Sequence, residues 1–90
     1  MLIPKKLKIG AHEYKITRKL DDDLGWHSLS TATININPKA PKSIQEATLI
    51  HEIFHAMNTT LSGGNNFSHA LLDSLSEQIY QVLKDNNLLK

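Results

Sequence analysis

The 90-residue chain contains no cysteine. That excludes disulfides and thiolate metal sites, so a zinc ion here has only His, Asp and Glu to hold it. It has almost no net charge, +1 with histidine neutral, which removes the electrostatic case for a nucleic-acid or membrane-surface partner. No apolar run approaches the roughly 20 residues of a membrane span. The segment Met1-Leu2-Ile3-Pro4-Lys5-Lys6 has no long apolar stretch of the secretory kind, so the expectation is a cytoplasmic protein. Repeats and low-complexity segments are missing too, and Trp26 is the single tryptophan. What remains is an ordinary soluble composition in one domain, residues 1–90, with a thin core. In such a small domain a bound metal adds stability as well as chemistry.

Against that background one stretch stands out, His51-Glu52-Ile53-Phe54-His55, an H-E-x-x-H pattern inside the apolar run Ala47–Met57. Residues i and i+4 of a helix lie one above the other, so both imidazoles leave the same face and can share one zinc ion. Glu52 sits beside them, placed to take a proton from a zinc-activated water. The pattern Ser43-Ile44-Gln45-Glu46 fits a capping box and sets a helix from about Ile44 to about Thr60. Ile50, Ile53, Phe54, Met57 and Leu61 recur at helical spacing as its core stripe, with Ala47, His51, His55 and Asn58 on the adjacent stripe. The histidines are therefore expected at the edge of the core, within reach of a cleft.

The flanking segments suit an α+β fold. Leu7, Ile9, Tyr14 and Ile16 alternate with Lys6, Lys8, Lys15 and Arg18, which predicts a β-hairpin turning near Gly10–Glu13 with His12 at the surface. The acidic run Asp21-Asp22-Asp23 and the following Leu24-Gly25-Trp26-His27-Ser28 read as a solvated loop, lacking the ligand pattern of a calcium loop. Ser30–Asn37 alternates again, with Thr31, Thr33, Asn35 and Asn37 facing water and Ala32, Ile34 and Ile36 facing inward. This is a half-buried strand ended by Pro38, and a free edge on it is positioned to hold an extended peptide. Gly63-Gly64-Asn65-Asn66 suits a tight turn. A second helix follows, from Asn66 or Ser68 to about Asn86, with Leu72, Leu75, Ile79 and Val82 facing the first helix and the sheet. The predicted architecture is a small antiparallel sheet of about three strands packed on two antiparallel helices.

A catalytic zinc site usually has three protein ligands and an open position. His69, near the start of the second helix, is the leading candidate for the third. Asp73 is its competitor, and Glu77 lies deeper. Tyr80 and His27 are candidates to contact substrate or a developing oxyanion.

The stretch Ala47-Thr48-Leu49-Ile50-His51-Glu52-Ile53-Phe54-His55-Ala56 resembles the metal helix of small, often phage-encoded zincin-type metallopeptidases, relatives of the ImmA/IrrE-type and SprT-like groups. Leu72-Asp73-Ser74-Leu75 and Tyr80-Gln81-Val82-Leu83-Lys84-Asp85-Asn86 are similar to their second helix. The resemblance implies the fold, the zinc and hydrolysis of peptide bonds in a protein or peptide substrate. That family commonly has an acidic third ligand, from which His69 departs. Thermolysin-like zincins place a glutamate ligand four residues before an orienting aspartate, and His69-x-x-x-Asp73 resembles that pair with histidine in the glutamate's place. With His69 as ligand, Asp73 takes the orienting role that this resemblance implies, accepting from the free ring N–H of a metal-bound histidine. Two readings from other classes stand beside this one: a catalytically silent, zinc-stabilised interaction domain, and a metal-free helical adaptor.

Overall fold

The alternation between residues 6 and 17 folds as a hairpin in the computed structural model, which describes residues 2–60 and 67–89. Strand β1 (Lys6–Ile9) pairs antiparallel with β2 (His12–Thr17), placing Leu7 opposite Tyr14 and Ile9 opposite His12. The turn is Gly10-Ala11, and Gly10 adopts φ 61°, a left-handed conformation open to glycine without steric cost. His12 is thus already a strand residue, and it is exposed as expected. Ile9, Tyr14 and Ile16 are buried, while Lys6, Lys8, Glu13 and Lys15 face solvent. The exposed Lys6–Glu13 pair at 3.3 Å contributes little.

The hairpin is half of a four-stranded sheet ordered β1-β2-β4-β3. Strand β3 (Gly25–Ser28) pairs antiparallel with β4 (Thr33–Ile36), and β4 pairs parallel with β2. The sheet is therefore mixed and has one strand more than the alternation predicts. Residues 25–28 carry no apolar alternation; pairing with β4 makes them a strand. The segment expected as a half-buried edge is interior instead: β4 lies between β2 and β3, and all its residues are buried. The free edge beside the helices belongs to β3.

Two asparagines explain how the chain reaches that edge. Asn35 is fully buried. Its Oδ1 accepts from Thr17 Oγ1 at 2.7 Å and from the Lys19 amide at 2.9 Å, and its Nδ2 donates to the Lys19 carbonyl at 3.1 Å. Asn37 Nδ2 donates to the carbonyls of Asp21 and Asp23 at 2.7 and 3.3 Å. Together they hold residues 17–23 as the chain leaves β2 and crosses the end of β4. Trp26 locks the same loop, donating its indole N–H to Asp21 Oδ2 at 2.9 Å.

Helix α1 (Lys42–Thr60) starts one residue before Ser43, the expected cap. The Gln45 side chain ties down the preceding linker, donating to the carbonyls of Pro38 and Ala40 at 3.1 and 2.7 Å. Leu49 and Ala56, with part of Ile53, complete the core formed by Ile9, Tyr14, Ile16, Ile34 and Ile36. The sheet-facing stripe is thus rotated from the one expected. Ile50 is buried, Met57 is 43 % exposed, and Leu61 lies outside the described residues. So does the expected Gly63-Gly64-Asn65-Asn66 turn.

Helix α2 (His69–Asp85) is capped by Ser68, whose Oγ accepts from the Leu71 amide at 3.1 Å. The contacts Asn58–Phe67, His55–Asp73 and Glu46–Tyr80 run in opposite directions along the two helices, so they are antiparallel. Among the described residues α2 packs on α1 and on no other element. It does not reach the sheet: Leu72 is buried, while Leu75 and Val82 are 44 % and 48 % exposed. The layers are sheet, α1, α2, with α1 enclosed on both sides. Among the described residues no helix is long and apolar enough to cross a membrane.

Gly25 lets α1 settle on the edge strand. A Cβ there would stand 2.6 Å from Thr48 Cγ2 and 2.8 Å from the Asn35 carbonyl oxygen, and the backbone oxygen cannot easily give way. Gly25→Ala is expected to cost about 1–3 kcal/mol, seen as a lower urea midpoint at unchanged m-value.

Candidate metal centre

The site is assembled at the junction of the three layers. His51 and His55 project from one face of α1, as their spacing dictates, and their Nε2 atoms lie 3.2 Å apart. Asp73 reaches across from α2: its Oδ1 is hydrogen-bonded to His51 Nε2 and lies 3.1 Å from His55 Nε2. The side chains grade from a buried His55 to a half-buried His51 and an exposed Asp73. The two imidazoles hold the Asp73 carboxyl below its ordinary range through these hydrogen bonds.

The donor set suits a divalent cation. One atom from each of His51, His55 and Asp73 lies within 4.8 Å of the others. Two ring nitrogens and a carboxylate oxygen, all with lone pairs available, converge on one point, an arrangement that needs a cation or protons among them. These residues can hold a metal ion.

The third member of the convergent set is Asp73, whereas the sequence favoured His69. His69 lies one turn earlier on α2, its ring centroid 4.8 Å from that of His55, outside the convergent set. The reason is the level at which α2 begins. Asn58 braces it: its Oδ1 accepts from the Phe67 amide at 3.2 Å and its Nδ2 lies 3.4 Å from the Phe67 carbonyl. With Ser68 capping the next turn, Asp73 comes level with the histidines. Glu77, one turn further, lines the neighbouring cleft and stands outside the set.

Glu52 points between α1 and the sheet. Its Oε1 lies 2.8 Å from His27 Nδ1 on β3, and its Oε2 lies 3.4 Å from His51 Nδ1. Burial pushes this carboxyl up, but the His27 hydrogen bond and the surrounding imidazoles outweigh burial and leave it below the usual range. Tyr80 is engaged elsewhere: its hydroxyl donates to Glu46 Oε1 at 2.8 Å, with Lys84 Nζ 3.6 Å from the same oxygen. Burial and the Glu46 carboxylate both raise the Tyr80 pKa. Its hydroxyl thus braces α2 on α1, while its side chain lines the cleft.

That cleft, of about 880 Å³, opens beside the cluster. Asp22, Asp23, Leu24 and Gly25 form one wall, Ser43–Glu52 of α1 the floor, and Asp73, Glu77 and Tyr80 the other wall. Among the described residues its charged lining is acidic and carries no lysine or arginine, a field that draws in cations. The acidic run expected as a plain solvated loop is thus part of the cleft wall. No signal in the sequence marks the Asn58 brace, the Glu46–Tyr80 bond or the His27–Glu52 contact, because each depends on how separate elements dock.

No protein-family model, curated protein or solved structure gives a significant match to this chain.

The geometry makes a graded prediction for metal binding. Untagged wild-type protein is expected to hold about one zinc per chain, and Asp73→Ala or His55→Ala to weaken binding at least about tenfold. His69→Ala should stay near wild type. Asn58→Ala, which keeps all three donors but removes the brace on α2, should weaken zinc by roughly tenfold. Competition with a chromogenic chelator measures all four.

Proposed function

We propose that the chain is a zinc-dependent metallopeptidase of the zincin type, with His51, His55 and Asp73 as ligands and Glu52 as general base. The observation that carries this reading is the convergence of the three donors beside an ionised Glu52 in the wall of an open cleft. The likeness of Ala47–Ala56 to the metal helix of small zincin-type metallopeptidases supports it, and an aspartate ligand agrees with the acidic third ligand common in that family.

Zinc bound at this cluster would supply a Lewis acid and a water acidified toward a pKa of about 7. His51 and His55 would hold the ion through ring nitrogens, and the Asp73 carboxylate would help to balance its charge. Glu52 takes the proton from the attacking water and returns it to the leaving amine. The free edge of β3 offers backbone donors and acceptors to an extended protein or peptide substrate, laid in the cleft between that edge and the helices. Leu24 and Ile44, both exposed in the cleft lining, provide apolar contacts for its side chains.

One observation favours a second reading. The cluster joins α2 to α1, and α1 is the only element on which α2 packs among the described residues. A metal there would fasten the helix pair even without hydrolysis, as in a silent, metal-stabilised interaction domain.

Glu52→Gln separates the two. On the peptidase reading it keeps zinc, measured by elemental analysis, and lowers hydrolysis of a quenched fluorogenic peptide mixture about 10²- to 10⁴-fold. A wild-type protein that binds zinc, loses thermal stability with chelator and cleaves nothing would establish the second reading instead.

A further inference from the structure

We propose that His27 is a positioning residue for Glu52, fixing the base to the edge strand along which substrate lies; this rests on the metallopeptidase reading above. The placement follows from strand register. His27 is paired with Ile34, and residues directly opposite in an antiparallel pair share a face of the sheet. Ile34 is fully buried in the core beneath α1. His27 therefore also faces α1, and there it meets Glu52, with Nδ1 2.8 Å from Oε1. The two side chains are 23 % and 9 % exposed, so water competes poorly for the contact.

In the tautomer this role requires, His27 Nδ1 donates and the carboxylate oxygen Oε1 accepts. Glu52 has several rotatable bonds, and a donor on Oε1 removes most of that freedom. The second oxygen, Oε2, is left on the side of His51, 3.4 Å from its Nδ1. One oxygen is anchored and the other stays available as the proton acceptor. The anchor comes from β3, whose Gly25 lines the cleft, rather than from the helix that carries Glu52. Base and bound chain thereby share one frame of reference, the condition for a short, aligned proton transfer. His27 lies outside the convergent set His51, His55 and Asp73, so it acts on the base and not as a ligand.

The test compares wild type, His27→Ala and His27→Asn in the zinc-loaded protein. The asparagine amide can present an N–H near the position of Nδ1. Three readouts are needed: zinc content, kcat and KM on a peptide selected from the quenched fluorogenic mixture by wild-type cleavage, and ¹⁵N NMR of the His27 ring. The expected result is unchanged zinc and KM in both variants, kcat lowered roughly 10- to 100-fold in His27→Ala, and most of that loss restored in His27→Asn. The wild-type ring should carry its hydrogen on Nδ1. Unchanged kcat in His27→Ala overturns the proposal, as does a ring protonated only on Nε2. Loss of zinc in step with activity also overturns it, by making His27 part of the metal site. A wild-type protein that binds zinc but cleaves nothing defeats the peptidase reading and this role with it. An active wild type with an indifferent His27→Ala defeats this role alone.

Discussion

The structure depends on a helix that is enclosed on both sides and yet buries polar residues. Helix α1 lies between the sheet and α2, and Glu46, Thr48, Glu52, His55 and Asn58 are all buried on it. A buried polar group without a partner costs about 1–3 kcal/mol, so both neighbouring layers must supply partners. From the sheet, His27 meets Glu52; from α2, Tyr80 meets Glu46 and Asp73 meets His55; the chain at the start of α2 meets Asn58. These contacts fix the depth of α1 on β3 and the height of α2 on α1. The cluster His51, His55 and Asp73 forms where both are set.

The same constraint explains what the sequence disclosed. His51, Glu52 and His55 were legible because their arrangement is local: helical spacing alone puts two imidazoles on one face. The choice between His69 and Asp73 was not, since the residues are one turn apart on α2 and either suits a ligand by type. The choice turns on where α2 starts against α1, which Asn58 and Ser68 decide, and an asparagine in a helix announces no such role. The core stripe of α1 was displaced for a related reason. Of the expected stripe, Ile50 is buried and Ile53 packs on the core, while Met57 is exposed; part of the face turned inward is polar, and apolar spacing carries no record of it.

The sheet shows the converse. The hairpin β1–β2 was legible from alternation and a glycine turn. Strand β3 was not: Gly25-Trp26-His27-Ser28 has a small residue where α1 presses close and a histidine where the buried Glu52 carboxyl meets the sheet. Both answer to the docking of α1, and they erase the pattern by which a strand is recognised. Asn35 misled in the same way, since an amide on an alternating strand reads as solvent-facing when it is in fact the fully buried anchor of the crossing loop.

The strand order leaves β1 and β3 as the outer strands, and an unpaired edge invites other chains to pair with it and aggregate. The molecule meets that hazard differently on its two sides. On β1, Lys6 and Lys8 stand exposed, a charged fringe that discourages sheet-to-sheet association. On β3 no lysine guards the edge; the strand is only four residues long, with the anchored acidic loop at one end. That is length enough to engage a short extended guest and too little to template a growing intermolecular sheet.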